Sequence, residues 1–281
     1  MNKIIWISSY PKSGNTWLRY LISNYFFNKN RVFDQKIIKY IKKFPQEDLI
    51  EKIANKNDLI KNKYNISNYW KKASELIDIK SGNVAFVKNH NFLIEINKNT
   101  VANIKNSLAF IYIVRDPRDV VISYAKYKGI SIDQSIDQVC SKDLNYIYKL
   151  NKNNFPNIEI LGSWKTNYIS WRDNLPEIPR FILKYEDLIS DSYKNFYNLI
   201  LFLSNILNFK IDDNQLLFSL EASAFKNLQQ KERDIGFFEN YGKSSFFRNG
   251  KSGIWKLELN SNQVKYIEKK FFNEMKSLNY I

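Results

Sequence analysis

Leu108-Ala-Phe-Ile-Tyr-Ile-Val114 is followed without a break by Arg115-Asp116-Pro117-Arg118-Asp119. A continuous apolar run with no polar alternation is the pattern of a strand buried on both faces of a parallel sheet. Its abrupt end in charges and an Asp-Pro pair predicts a turn and the start of a helix. Working outward, Lys3 to Tyr10 (KIIWISSY) reads as a strand that ends in Pro11-Lys12-Ser13-Gly14. A helix follows, with Trp17, Leu18, Leu21, Ile22, Tyr25 and Phe26 at helical spacing. Asn83 to Lys88 (NVAFVK) reads as a further strand ending at Asn89-His90, and Arg180 to Tyr185 (RFILKY) as a fourth, leading into Glu186-Asp187-Leu188. Leu161, Trp164, Tyr168, Trp171 and Leu175 mark an amphipathic helix, Tyr193 to Leu207 an apolar one, and Val264, Ile267, Phe271, Met275 and Leu278 a last one. Residues 29–80 are lysine-rich and predict short helices without a strong period. Strands alternating with helices imply an α/β fold around a central, mostly parallel sheet flanked by helices.

Composition narrows the class. The 281 residues are 44% hydrophobic, 16% aromatic and 25% charged, which is globular and excludes bulk disorder. No repeat, low-complexity linker or boundary is legible, so a single domain over residues 1–281 is expected. The single cysteine, Cys140, excludes an intrachain disulfide and a cysteine-based zinc site. No apolar run approaches the about 18 residues of a membrane span, and Met1 to Ile7 is too short for a secretory signal. A soluble, reduced, cytoplasmic protein is the default expectation. Lys and Arg number 43 against 28 Asp and Glu, a net charge of +15. Such an excess favours an anionic partner: nucleic acid, an acidic membrane surface or a small polyanion. Drift in a chain rich in Lys, Asn and Ile is the other explanation. A basic nucleic-acid-binding protein stays open on charge alone, although no nucleic-acid recognition motif is present.

Position is more informative than charge count. In open α/β sheets ligands bind beyond the carboxyl ends of the strands. Here those ends carry Lys12-Ser13-Gly14, Lys88 with His90, and Arg115. A glycine-containing turn between strand and helix presents backbone N–H groups at the positive end of the helix dipole, a seat for phosphate-like anions. Lys12, Ser13 and Thr16 add charge and hydroxyl donors. The loop is not G-x-x-x-x-G-K-[ST]. The nearest imitation, Gly236 to Ser244, has five residues between its glycines and follows no strand. A P-loop-like nucleotide kinase is therefore the enzymatic alternative, and an ordinary βα turn the bland one. His90 is the only histidine. Its imidazole suits a general base, although a lone histidine more often has a structural or surface role. No His, Cys and carboxylate set has metal-ligand spacing, so no metal is expected.

PKSGNTW (11–17), KNH (88–90), RDPRDVVIS (115–123), YEDL (185–188) and RNGKSGIWK (248–256), in that order, resemble the motifs of the sulfotransferases that use 3′-phosphoadenosine 5′-phosphosulfate (PAPS). The resemblance spans nearly the whole chain and implies a P-loop-like three-layer fold with PAPS as co-substrate. It implies that Lys12, Ser13, Gly14, Asn15 and Thr16 cradle the 5′-phosphosulfate, with Trp17 against adenine. Arg115 and Ser123 would clamp the 3′-phosphate, with Arg248, Asn249 and Gly250 as a second arm. Tyr185, Ser223 and Phe225 resemble adenine-side contacts, with core packing the other reading of Phe225. His90 matches the family's Lys-x-His base position, with Lys88 and Lys12 stabilising the in-line transition state. Lys12, Arg115 and Arg248 supply the positive charge that Mg²⁺ supplies in kinases. The chain departs from the family at Asn15, at Asn249 of Arg-Asn-Gly, and at Ile254 before Trp255; Lys251 is a candidate to replace the missing charge at 249. The acceptor, a hydroxyl or amine on a small molecule or glycan, is expected at residues 29–80 and at loops near 125–160 and 226–247, and its identity and the oligomeric state are not legible.

Overall fold

Strand β1 (Lys3–Ser8) is apolar at four consecutive positions, Ile4 to Ile7, and all four are fully buried. The computed structural model describes residues 3–77, 79, 84–141, 146–240, 245–248 and 250–281. After β1 the chain runs through α1 (Asn15–Phe27), β2 (Lys42–Phe44), α2 (Glu47–Ile53), α3 (Lys56–Lys61), α4 (Ser67–Glu75), β3 (Val84–Asn89) and β4 (Ser107–Val114). It continues with α5 (Pro117–Lys128), α6 (Ile132–Cys140), β5 (Tyr146–Leu150), β6 (Pro156–Ile160), α7 (Trp164–Asp173), β7 (Arg180–Lys184) and α8 (Tyr185–Ser190). The remainder is helical: α9 (Ser192–Leu207), α10 (Asp213–Ala222), α11 (Phe225–Ile235), α12 (Trp255–Glu258) and α13 (Ser261–Ser277). Among the described residues five strands form one sheet in the order β2-β3-β1-β4-β7, and β5 pairs with β6 in a second, two-stranded sheet. The β2–β3, β3–β1 and β1–β4 pairings are parallel, as alternating strands and helices require.

The chain divides into two compact units, passing between them at 10/11, 40/41, 112/113, 140/141 and 182/183. The first takes residues 1–10, 41–112 and 141–182. Its core is aromatic: Trp171 of α7 meets Phe110 of β4 edge-on at 5.0 Å and Trp6 of β1 at 6.2 Å, while Phe44 of β2 meets Trp6 at 5.1 Å. The amphipathic pattern from Leu161 begins its helix only at Trp164, because Ser163 caps it: its hydroxyl accepts from Thr166 N and the Thr166 hydroxyl from Ser163 N.

The second unit takes residues 11–40, 113–140 and 183–281. Tyr20, Ile37, Ile38, Leu228, Phe237 and Phe247 form one of its buried clusters, and Phe196, Leu199, Ile200 and Leu203 line the buried face of α9. The Asp116-Pro117 pair starts α5 as expected: the Asp116 carboxylate accepts from Arg118 N at 2.9 Å, and Pro117 opens the first turn. Gly129, at φ +68°, closes it. Tyr185, expected to end the fourth strand, instead begins α8.

Three strands escaped the sequence reading. β2 is three residues long inside the lysine-rich stretch, and β5 and β6 alternate Tyr, Asn, Lys and Glu with Ile. Such segments owe their strand state to a partner rather than to an apolar run.

Candidate active site

In the second unit the turn Pro11–Gly14 leads directly into α1. Gly14 sits at φ +99°, and a Cβ there would stand 2.5 Å from Tyr185 Cδ2, so only glycine fits. No side chain caps α1. Ser13 is 1% exposed, and its hydroxyl has no partner among the described residues. A buried hydroxyl without a partner, at the positive end of a helix, fits an external anion. Lys12 Nζ lies 4.3 Å from the ring centroids of both Tyr127 and Phe246. Trp17 Nε1 donates to Ser223 O at 2.9 Å and its ring meets Tyr185 edge-on at 5.9 Å, while the Ser223 hydroxyl accepts from Asn24 Nδ2 at 3.1 Å.

A cavity of about 80 Å³ lies in the same unit, lined among others by Arg115, Ser123, Tyr185, Phe225, Arg248 and Gly250. Six residues that the family resemblance singles out thus share one recess. Arg115 donates from Nη1 to Lys12 O at 3.3 Å and from Nη2 to Lys251 O at 3.1 Å, with its guanidinium 4.5 Å from the Tyr185 ring centroid. Arg248 Nη2 reaches the Ser123 hydroxyl at 3.3 Å. Burial, and then the nearby charge of Arg115, hold the Arg248 pKa below the usual guanidinium range. Two like charges in one recess repel, and an anion between them relieves the cost. A Cβ on Gly250 would stand 2.5 Å from Phe225 Cγ, and Phe225 packs edge-on to core residue Phe247 at 6.0 Å, the contact of its core-packing reading. Lys251, the candidate replacement for the charge at 249, lines the cavity and accepts from Arg115 through its carbonyl. Asn249 lies outside the described residues.

The charged pair Arg118 and Asp116 has a different job. Arg118 donates from Nη2 to Asp116 at 2.6 Å and from Nη1 to Glu268 at 2.5 Å, and its guanidinium lies 3.7 Å from the Trp255 ring centroid. That cluster is buried, not solvated, and it ties α5 to the C-terminal helices.

The first unit holds His90 and Lys88. His90 stands one residue past β3, its Nδ1 2.8 Å from Ser9 O and 3.2 Å from the Ser9 hydroxyl. A proton on Nδ1 satisfies the Ser9 carbonyl, which leaves the lone pair on Nε2. Asn167 Nδ2 donates to the His90 carbonyl at 2.9 Å, and Asn167 Oδ1 accepts from Tyr112 OH at 2.8 Å. His90 is half-buried; loss of water, then the charge of Lys88, bring its pKa down to about 3. The imidazole is therefore neutral near pH 7, with one ring nitrogen unprotonated, and a pKa that low makes it a weak base in the ligand-free chain. Lys88 Nζ pairs with Glu159 Oε1 of β6 at 3.1 Å. Burial opposes ionisation of Glu159, yet Lys88, His90 and Lys43 outweigh it and bring the carboxyl to about 2.

The sulfotransferase domain family matches residues 2–279. The chain belongs to the sulfotransferase family. Rabbit (Oryctolagus cuniculus) amine sulfotransferase is 21% identical over 282 residues, covering 97% of this chain and 80% of that protein. Rat (Rattus norvegicus) sulfotransferase 2A6 is 27% identical over 177 residues, and that match spans 59% of this chain and 56% of the rat protein. Among solved structures, a mouse sulfotransferase complexed with PAP matches with a TM-score of 0.61 at 18% identity, over 98% of this chain and 85% of its own. A retinol dehydratase in complex with retinol and PAP matches with a TM-score of 0.62 at 18% identity, over 97% and 81%. The α/β fold with a central parallel sheet is therefore that of sulfotransferases.

Two carboxylates of this sulfotransferase's sites were not foreseen as site residues. Glu159 sits in an unremarkable alternating stretch, PNIEI, with no local signal. Asp119 was in plain view within RDPRD, but nothing in the spacing says what it holds. Both have partners far away in the chain, 71 residues for Glu159 and 134 and 136 for Asp119.

Proposed function

We propose that this sulfotransferase transfers the sulfuryl group of PAPS to a hydroxyl or amine acceptor by in-line displacement. The observation that carries the reading is the recess of Arg115, Arg248 and Ser123, where two partly buried guanidinium groups repel until an anion separates them. The structures of similar fold with PAP, adenosine 3′,5′-bisphosphate, support that anion as the donor's 3′-phosphate. Bound there, PAPS supplies the sulfuryl group, and the acceptor's oxygen or nitrogen takes it as the bond to the 5′-phosphate breaks. Ser13 and the start of α1 hold the 5′-phosphate, and Lys12 balances the charge that develops on it. His90 Nε2 takes the acceptor's proton, with Ser9 O fixing the tautomer and Lys88 adding positive charge. Lys12, Arg115 and Arg248 make a divalent metal unnecessary in this scheme. Retinol and androsterone in complexes of the retinol dehydratase support a small organic acceptor.

Calorimetric titration with PAP, ADP and AMP without divalent metal tests the donor site. PAP is expected to bind tightest, and Arg115→Ala to erase its advantage over AMP. Equal binding of all three by the intact chain sinks the proposal.

A further inference from the structure

Asp119 is a carboxylate in the wall of a recess otherwise suited to anions, and nothing in the proposed chemistry uses it. Its side chain is 1% exposed. Its two oxygens accept from backbone N–H groups of the segment after Gly250: Oδ2 from Gly253 N at 2.7 Å and Oδ1 from Trp255 N at 3.0 Å. Oδ2 also lies 3.8 Å from Nη2 of Arg115, which stands between β4 and α5. Arg115 in turn holds the carbonyl of Lys251 and that of Lys12. A single carboxylate thus ties α5 to residues 251–255 twice directly and once through Arg115. Burial raises the Asp119 carboxyl above the usual carboxylate value, while Arg115 and the two N–H groups pull the other way.

We propose that Asp119 is the positioning residue of the donor site: it orients Arg115 and fastens the segment bearing Gly250 and Lys251 against α5. The proposal rests on the donor site argued above. A carboxylate facing an anion normally costs affinity. Here its oxygens are directed at N–H donors and at a guanidinium, so it acts by orienting positive charge toward the recess. The same contacts account for Ile254. The segment is fastened by the backbone N–H groups on either side of residue 254, so its side chain need not supply an acid.

Asp119→Asn removes the charge and keeps the shape. Hydrogen bonds to a charged acceptor are individually strong, so PAP affinity should fall about 10–100-fold. AMP affinity should stay within about twofold, since only the 3′-phosphate arm is disturbed. In a cycle with Arg115→Ala the two losses should not add, because one residue acts through the other. Hydrogen exchange of the ligand-free chain gives a readout independent of nucleotide: the Gly253 and Trp255 amides should exchange faster in Asp119→Asn, with the core amides of β1 and β4 unchanged. Unchanged exchange at those two amides overturns the proposal, as does equal loss of PAP and AMP binding. Additive losses in the cycle overturn the link through Arg115. If the intact chain shows no preference for PAP over AMP, the donor site itself fails and Asp119's role with it, whatever the exchange rates.

Discussion

His90 is poised by its surroundings rather than by its own chemistry. Burial and Lys88 move its pKa from 6.5 to about 3, so the native ring refuses a proton that the unfolded chain accepts in between. Two consequences follow from the sign. As pH falls from 6.5 toward 3 the native state loses stability, because only the unfolded state gains the proton. The denaturation midpoint should therefore drop on acidification over that window, and drop less in His90→Gln. For activity, kcat/KM should show no acid limb centred near the ordinary histidine value; such a limb would remove the shifted imidazole from the mechanism. His90→Ala should lower turnover about 10²–10⁴-fold and leave PAP affinity unchanged, since every donor contact named above comes from other residues.

The element that matters most is the turn between β1 and α1. Its geometry leaves no room for a side chain at 14, where φ is +99° and Tyr185 Cδ2 stands 2.5 Å from the Cβ position. Gly14→Ala should cost about 1–2 kcal/mol for the left-handed backbone alone, and more for the clash. It should also weaken PAP and AMP together, because both carry the 5′-phosphate. Thermal melts and calorimetry on the same variant separate the two effects, and a Gly14→Ala chain that binds AMP normally would move the 5′-phosphate seat elsewhere. The 3′-phosphate clamp has a different signature: changes at Arg115, Asp119 or Arg248 should weaken PAP and leave AMP binding nearly unchanged.

At the scale of the whole molecule the net charge is +15, and most lysines among the described residues are exposed or half-buried. A ligand that binds the native state stabilises it by mass action, about 2.7 kcal/mol at a hundred times its dissociation constant. PAP should therefore raise the melting temperature, by an amount that a chelator does not change. Loss of that shift in EDTA would bring a divalent metal into the donor site. The chain changes unit at 10/11, 40/41, 112/113, 140/141 and 182/183, and two of those points fall inside strands, 112/113 in β4 and 182/183 in β7. No linker composition marks those two, because a crossing carried within a strand needs no flexible segment.

By itself the sequence determined the parallel α/β class and singled out residues that the structure gathers in one recess. Continuous apolar runs such as Leu108 to Val114 leave a chain few ways to bury them, and a glycine turn after such a run forms its anion seat from neighbouring residues. The structure alone decided β2, β5 and β6, the Lys88–Glu159 pair and the grip of Asp119 on Gly253 and Trp255. Those features have no local cause. A three-residue strand exists only because β3 lies beside it, Glu159 is held charged only because Lys88 meets it, and Asp119 finds its two backbone donors only on a distant segment. Pairings of that kind are fixed by what the tertiary structure brings to the same place.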